Sequence, residues 1–199
     1  MANANTPFGL RPINDNGTPF SGQLTMYYVP SSLGTAVFIG DPVIPNGDGD
    51  AYGVAGVTLA TAGTTNYLIG SVVAIVNGPA VGGNATIPVT RDLPVYHAAS
   101  TAGYVLVADD PNQLFVMQED SIGGAIAATA LSSNFSMVSG VGSTTTGQSG
   151  WMIDSSVSNT TSLQLRLMRL LRGPDNAIGT YAKWVVRINQ HSLWNTTGI

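Results

Sequence analysis

Apolar and polar positions alternate most regularly towards the end of the chain. Leu163, Leu165 and Leu167 alternate with Gln164 and Arg166, and Trp184, Val186 and Ile188 alternate with Lys183, Arg187, Asn189 and His191. A period of two puts the apolar set on one face of a strand and the polar set on the other. Leu163–Leu171 and Tyr181–His191 are therefore predicted as half-buried neighbours, joined by the loop GPDNAIGT (173–180), which is too long for a two-residue turn. Shorter runs predict further strands at Gln23–Val29, Ala36–Ile39, Gly53–Leu59, Tyr67–Val76, Ala85–Val89 and Leu93–Tyr96. Others follow at Tyr104–Ala108, Leu114–Gln118, Phe135–Val138 and Trp151–Ile153. Turn signals separate these runs: Asn16-Gly17, Asn46-Gly47, Asp48-Gly49, Asn77-Gly78, Gly82-Gly83, Asp110-Pro111 and Gly173-Pro174. Only Ser121–Leu131, with its alanines, suggests a short helix, and Gly123-Gly124 weakens it.

Composition supports the pattern. The 199 residues include 19 Val, 12 Ile and 20 Thr but a single Glu (Glu119) and a single Lys (Lys183), so strand formers dominate and two leading helix formers are almost missing. The expected fold is all-β, a sandwich or barrel. One domain covers 13–199, with no internal repeat and no dividing linker, behind an extended N-terminal arm, 1–12, in which Pro7 and Pro12 bar helix and central strand. The low-complexity tract Ser139–Gly150, with VGSTTTGQSG as its latter part, reads as an exposed loop.

Charge changes the picture more than composition does. Only 9% of the chain is charged, against about 25% in an ordinary soluble domain. A compact chain of this size exposes roughly 8,900 Å², which spaces its charges about one per 490 Å² where about one per 180 Å² is usual. Solubility then rests on Ser, Thr, Asn and Gln, or part of the surface is covered by a partner. The charges are also segregated. Residues 1–165 hold ten acids and two bases (Arg11, Arg91), and residues 166–199 hold Asp175 against Arg166, Arg169, Arg172, Lys183 and Arg187, a basic end that suits either an acidic partner or solvated strand faces.

Several kinds of chemistry are excluded or unsupported. Without Cys there is no disulfide, thiolate metal site or cysteine nucleophile. The longest apolar stretch, Tyr67–Val76, is half the length a membrane span needs, and the start of the chain has no leader pattern, so a protein made in the cytoplasm is expected. The two histidines, His97 and His191, show no metal-ligand spacing and read as surface or hydrogen-bonded residues. Ser149 lies in GQSGW, which lacks the last Gly of a nucleophile elbow. No phosphate-loop or dinucleotide motif occurs. Asn46-Gly47-Asp48-Gly49-Asp50 imitates the start of a calcium loop but has Ala51 where Gly is required and Val57 where the bidentate acid belongs, so a polar hairpin loop is the better reading. Asp109-Asp110 and Glu119-Asp120 are adjacent acids that point to opposite faces, and Asp110-Pro111-Asn112 is a turn. The basic end carries Trp184 and Trp194, yet Trp184 belongs to the apolar face and the pI is near 4.7, which argues against nucleic acid. No catalytic residue, cofactor or metal site is expected.

Several blocks are distinctive: MANANTPFGLRP at the start, VFIGDPVI (37–44), YVLVADDPNQLFVMQED (104–120), TGQSGWMIDSS (146–156) and LQLRLMRLLRGPDNAIGTYAKWVVRINQH (163–191). Together they resemble a family of tailed-bacteriophage virion proteins, the capsid cement or decoration proteins. The resemblance implies a jelly-roll-like all-β subunit on the outside of the major capsid shell, a homodimer or homotrimer that bridges capsomers and has no enzymatic activity. Sparse charge fits such a role, because interface cores are depleted in charged residues. The expected contacts with the capsid protein or with other copies are the arm residues Phe8, Leu10 and Arg11 and the basic edge Arg166, Lys183 and Arg187. Two other readings stand beside it: a tail, neck or fibre component of the virion, and a carbohydrate-binding module using Tyr52, Tyr67 or Trp151 as stacking platforms.

Overall fold

The structure is a computed structural model that describes residues 3–15, 20–63, 66–76, 94–158 and 161–194. The expected strand Ala85–Val89, Leu93 of the Leu93–Tyr96 run and the turns at Asn16-Gly17, Asn77-Gly78 and Gly82-Gly83 lie outside these residues, and of the rest of that run only Tyr96 is in a strand. The all-β expectation holds: the described chain forms thirteen strands and two single turns of 3₁₀-helix.

Five strands close into a barrel: β2 (Thr25–Val29), β4 (Pro42–Gly49), β5 (Ala55–Leu59), β6 (Gly70–Val76) and β8 (Gly103–Ala108), in the order β2-β5-β4-β6-β8. Only β2 and β5 are parallel; the other seams are antiparallel. β-Branched residues that fit a pleated, enclosed surface fill the interior, among them Val29, Val43, Val57, Val72, Val105 and Val107. A short pair, β3 (Val37–Phe38) with β7 (Tyr96–His97), forms a separate two-stranded sheet.

The remaining strands make a six-stranded sheet from β1 (Arg11–Ile13), β9 (Leu114–Gln118), β10 (Asn134–Val138), β11 (Met152–Ser158), β12 (Leu165–Leu170) and β13 (Lys183–Ile188). Their order is β1-β9-β13-β12-β10-β11, and every pairing is antiparallel. The sheet curls, so that Ile153 of β11 bridges back to Glu119 just beyond β9. Its inner face is the main core. Phe115, Met117, Phe135, Leu165, Leu167 and Trp184 pack there with Leu10, Leu68 and Ala108 and against the partly buried Ile44 and Val73 of the barrel wall.

Two strands were not foreseen. β4 runs through Pro45 and the Asn46-Gly47 and Asp48-Gly49 pairs, and the reversal falls later, at 50–53, where Asp50 accepts the N–H groups of Tyr52 and Val54, each at 2.8 Å. β1 is formed by the end of the expected arm. The arm's other described residues form no regular element and lie on the body of their own chain: Asn3 bonds Ala177 and Thr180, and Thr6 and Asn5 bond Gln118. In the expected helical segment only Ala128–Ala130 makes a 3₁₀ turn.

Candidate functional site

Strand register determines which face each charge occupies. On the side of the six-stranded sheet away from the core, Ile13, Val116 and Val185 form a small apolar cluster with Phe8, Leu114 and Leu171. Residues directly paired across strands share a face. Arg11 pairs with Val116, Arg169 with Val185, Arg187 with Leu114, Arg166 with Arg187, and Lys183 with Gln118. Five of the seven basic residues of the chain therefore stand on this one face. Arg166 and Arg187 are directly opposed like charges, an arrangement that lowers sheet stability.

Three of these cations are held by neutral groups. Arg187 donates from Nε to the Pro111 carbonyl and from Nη2 to Asn112 Oδ1, at 3.3 and 3.0 Å, and lies over the Trp194 ring at 4.3 Å. Arg169 donates to the Asp15 main-chain carbonyl, and Arg11 stacks over Phe8 at 4.6 Å. Among the described residues none of the five forms an ion pair with a carboxylate. Asp154, on the same face at the far edge strand, accepts instead from the N–H and hydroxyl of Ser156.

A groove of about 760 Å³ runs across one end of this face. Phe8, Ile13, Val116 and Leu171 make its apolar part, Ser143, Thr146 and Gln148 its polar wall, and Arg11 and Lys183 are its two cations. Val141, 99% exposed, also lines it. The wall is pinned to the body, because Ile39 and Gln148 form a β-bridge with main-chain bonds of 2.9 Å from Ile39 N to Gly147 O and from Ser149 N to Ile39 O. The arm side is fixed by close backbone approach. Gly9 (φ 72°) and Gly40 (φ 94°) face each other, and a Cβ on Gly40 would lie 2.3 Å from the Phe8 carbonyl oxygen, so both positions need glycine. Beneath this junction burial pushes the Asp41 carboxyl up to about 6, partly offset by hydrogen bonds from Ser149 and from the Phe38 N–H.

Of the expected contact residues, Phe8, Arg11 and Lys183 meet at the groove, and Arg166 and Arg187 lie on the same face outside its lining. Leu10 leaves the set. It is 0% exposed within the chain's own core, where its N–H donates to the Gly40 carbonyl at 2.8 Å and Ser71 bonds its carbonyl. Trp151 is likewise buried at 5% exposure and offers no stacking platform, whereas Tyr52 and Tyr67 are exposed.

The residues weighed for chemistry hold the structure together. Ser149 is buried and accepts the Trp151 N–H. Glu119, pushed up by burial, accepts from the Trp184 indole N–H at 3.1 Å and the Ile126 N–H at 2.9 Å. Asp109 accepts from Thr25 and Tyr27, which helps raise the tyrosine's pKa above its ordinary value; burial is the larger cause. Asp110 caps its own turn through the Asn112 N–H. His97 and His191 are buried rather than on the surface, His191 accepting the Leu193 N–H on Nδ1 at 3.1 Å as the hydrogen-bonded reading allows, and burial lowers the pKa of each. Among the described residues no cluster of three or more His, Asp or Glu could hold a metal ion, and no helix is long and apolar enough to cross a membrane.

No protein-family model, curated protein or solved structure matches the chain.

Proposed function

We propose that this chain is a structural virion protein that attaches to the outer surface of a bacteriophage major capsid shell and stabilises it, with other copies of itself beside it as a dimer or trimer. The observation that carries the reading is the sheet face that gathers five cations, none of them ion-paired with a carboxylate among the described residues, in a protein of net charge −4. A monomer that needed only solubility gains nothing from opposing Arg166 to Arg187, whereas an anionic partner surface relieves that repulsion. The sequence blocks resembling cement proteins supply the kind of partner, and the charge-poor remainder suits burial against other subunits. Each contact can be weak, because a closed lattice engages many at once.

The test compares heads that carry the protein with heads that lack it under heat and under chelation. The cement reading predicts a higher rupture threshold for decorated heads; equal thresholds reject it. Copy number separates the tail, neck or fibre alternative: hundreds per particle belong to the shell, about a dozen to the tail or neck.

A further inference from the structure

We infer that the groove beside the arm receives an extended segment of the partner protein that combines apolar side chains with carboxylates. This deepens the proposed function by giving the chemistry of what the shell presents. The groove has the volume and the composition of a ligand site, about 760 Å³ with an apolar part and few polar groups, within the usual range of roughly 300–1,000 Å³. Its two cations, Arg11 and Lys183, have no carboxylate partner among the described residues. The occupant therefore has to be anionic, and the apolar part formed by Phe8, Val116 and Leu171 requires that it also bring apolar side chains. An extended segment alternates its side chains to two sides, so one strand-like stretch meets both requirements.

The neighbouring sheet edge does not offer a competing mode. β1 pairs with β9 through three residues, and the middle one, Pro12, has no N–H to give to an added strand. Recognition at this end of the sheet is thus by side chains in the groove rather than by strand addition. The walls on both sides are held by main-chain bonds, which keeps the site open before the partner arrives.

The experiment uses the full chain and end-blocked, fluorescent decapeptides in which Val alternates with Glu, Gln or Lys, followed by anisotropy. Saturable binding of the Glu peptide is expected, at least tenfold tighter than the Gln peptide, with none for the Lys peptide. The double variant Arg11→Glu/Lys183→Glu loses at least tenfold, as does Thr146→Trp, which plugs the groove from an exposed wall position. Ile122→Glu, which adds a negative charge at an 80% exposed position outside the groove lining and off the basic face, stays within twofold. Equal binding of the three peptides, no binding at all, or unchanged binding by both groove variants overturns the inference. Binding of a twenty-nucleotide single-stranded DNA as tightly as the Glu peptide overturns it in favour of a general polyanion surface. Attachment of wild-type chain to undecorated heads is measured in parallel. Heads that bind while the peptide ranking fails reject the groove alone, and a peptide ranking that holds while heads do not bind rejects the capsid reading alone.

Discussion

The closed barrel and the six-stranded sheet use their charges in opposite ways. In the barrel and its loops carboxylates are bound by the chain itself: Asp50 caps the 50–53 reversal and takes the Tyr104 hydroxyl at 2.6 Å, and Asp109 is bonded by Thr25 and Tyr27. On the outer face of the sheet Arg11, Arg169 and Arg187 meet neutral partners, and among the described residues none of the five cations is ion-paired with a carboxylate. Charge with an internal partner serves the fold, while charge left without one is available to another molecule. In a chain with so few charges, that difference marks one face as the place to look for a partner.

The largest effect belongs to the seam between the two regions. Leu10→Ala removes a fully buried side chain where arm, barrel and sheet meet, and should destabilise by about 2–5 kcal/mol in urea unfolding. A loss below about 1 kcal/mol would mean that the arm is not seated there. Next is Asp41, under the same seam. Its carboxyl is pushed from 3.8 to about 6, so the folded state holds its proton more tightly than the unfolded state does. Its contribution is complete below about pH 4, falls by about 3 kcal/mol as the pH rises to about 6, and then levels off. The buried histidines work in the other direction, losing stability as pH falls below about 6.5. Asp41 is therefore isolated as the difference between wild type and Asp41→Asn, and a flat difference from pH 4 to 6 would contradict its burial.

Smaller effects separate the two regions directly. Asp109→Ala deprives Tyr27 and Thr25 of their acceptor and should cost about 1.5–3 kcal/mol of stability while leaving attachment to heads unchanged. Arg166→Glu should do the reverse. It replaces an opposed like-charge pair by an opposite-charge pair, raising stability by about 0.2–1 kcal/mol, and it weakens attachment. A variant that melts higher and attaches less well is the signature of a face maintained for a partner. If attachment and stability moved together in both variants, the contrast between barrel and sheet would collapse.

Local alternation made much of the sheet legible before the fold was known. β9 matches its expected range, and β13 shows Trp184, Val186 and Ile188 inside with Lys183 and Arg187 outside, as the period of two requires. The failures have physical causes. β1 is three residues long, contains a proline and is ordered by partners a hundred positions away, so it carries no local signal. β4 was hidden by residues that usually turn the chain. Gln164 alternates as a surface residue but is fully buried, because its amide bonds Thr61, Asn66 and Gly63 and so ties down that loop. Leu10 looked like part of a free arm because nothing nearby in sequence announces the glycine junction that lets the backbone pass. The segregation of bases was visible in the chain, but their convergence on one face required the register, and the groove required five separate segments to meet.

The most direct test of the account is the number of copies of this chain per major capsid protein in purified particles, counted for wild type and for the Arg166→Glu/Lys183→Glu/Arg187→Glu variant. The account predicts hundreds of wild-type copies per particle and a large loss for the variant, with folding of the free chain preserved. About a dozen wild-type copies, or equal occupancy by the variant, would contradict it.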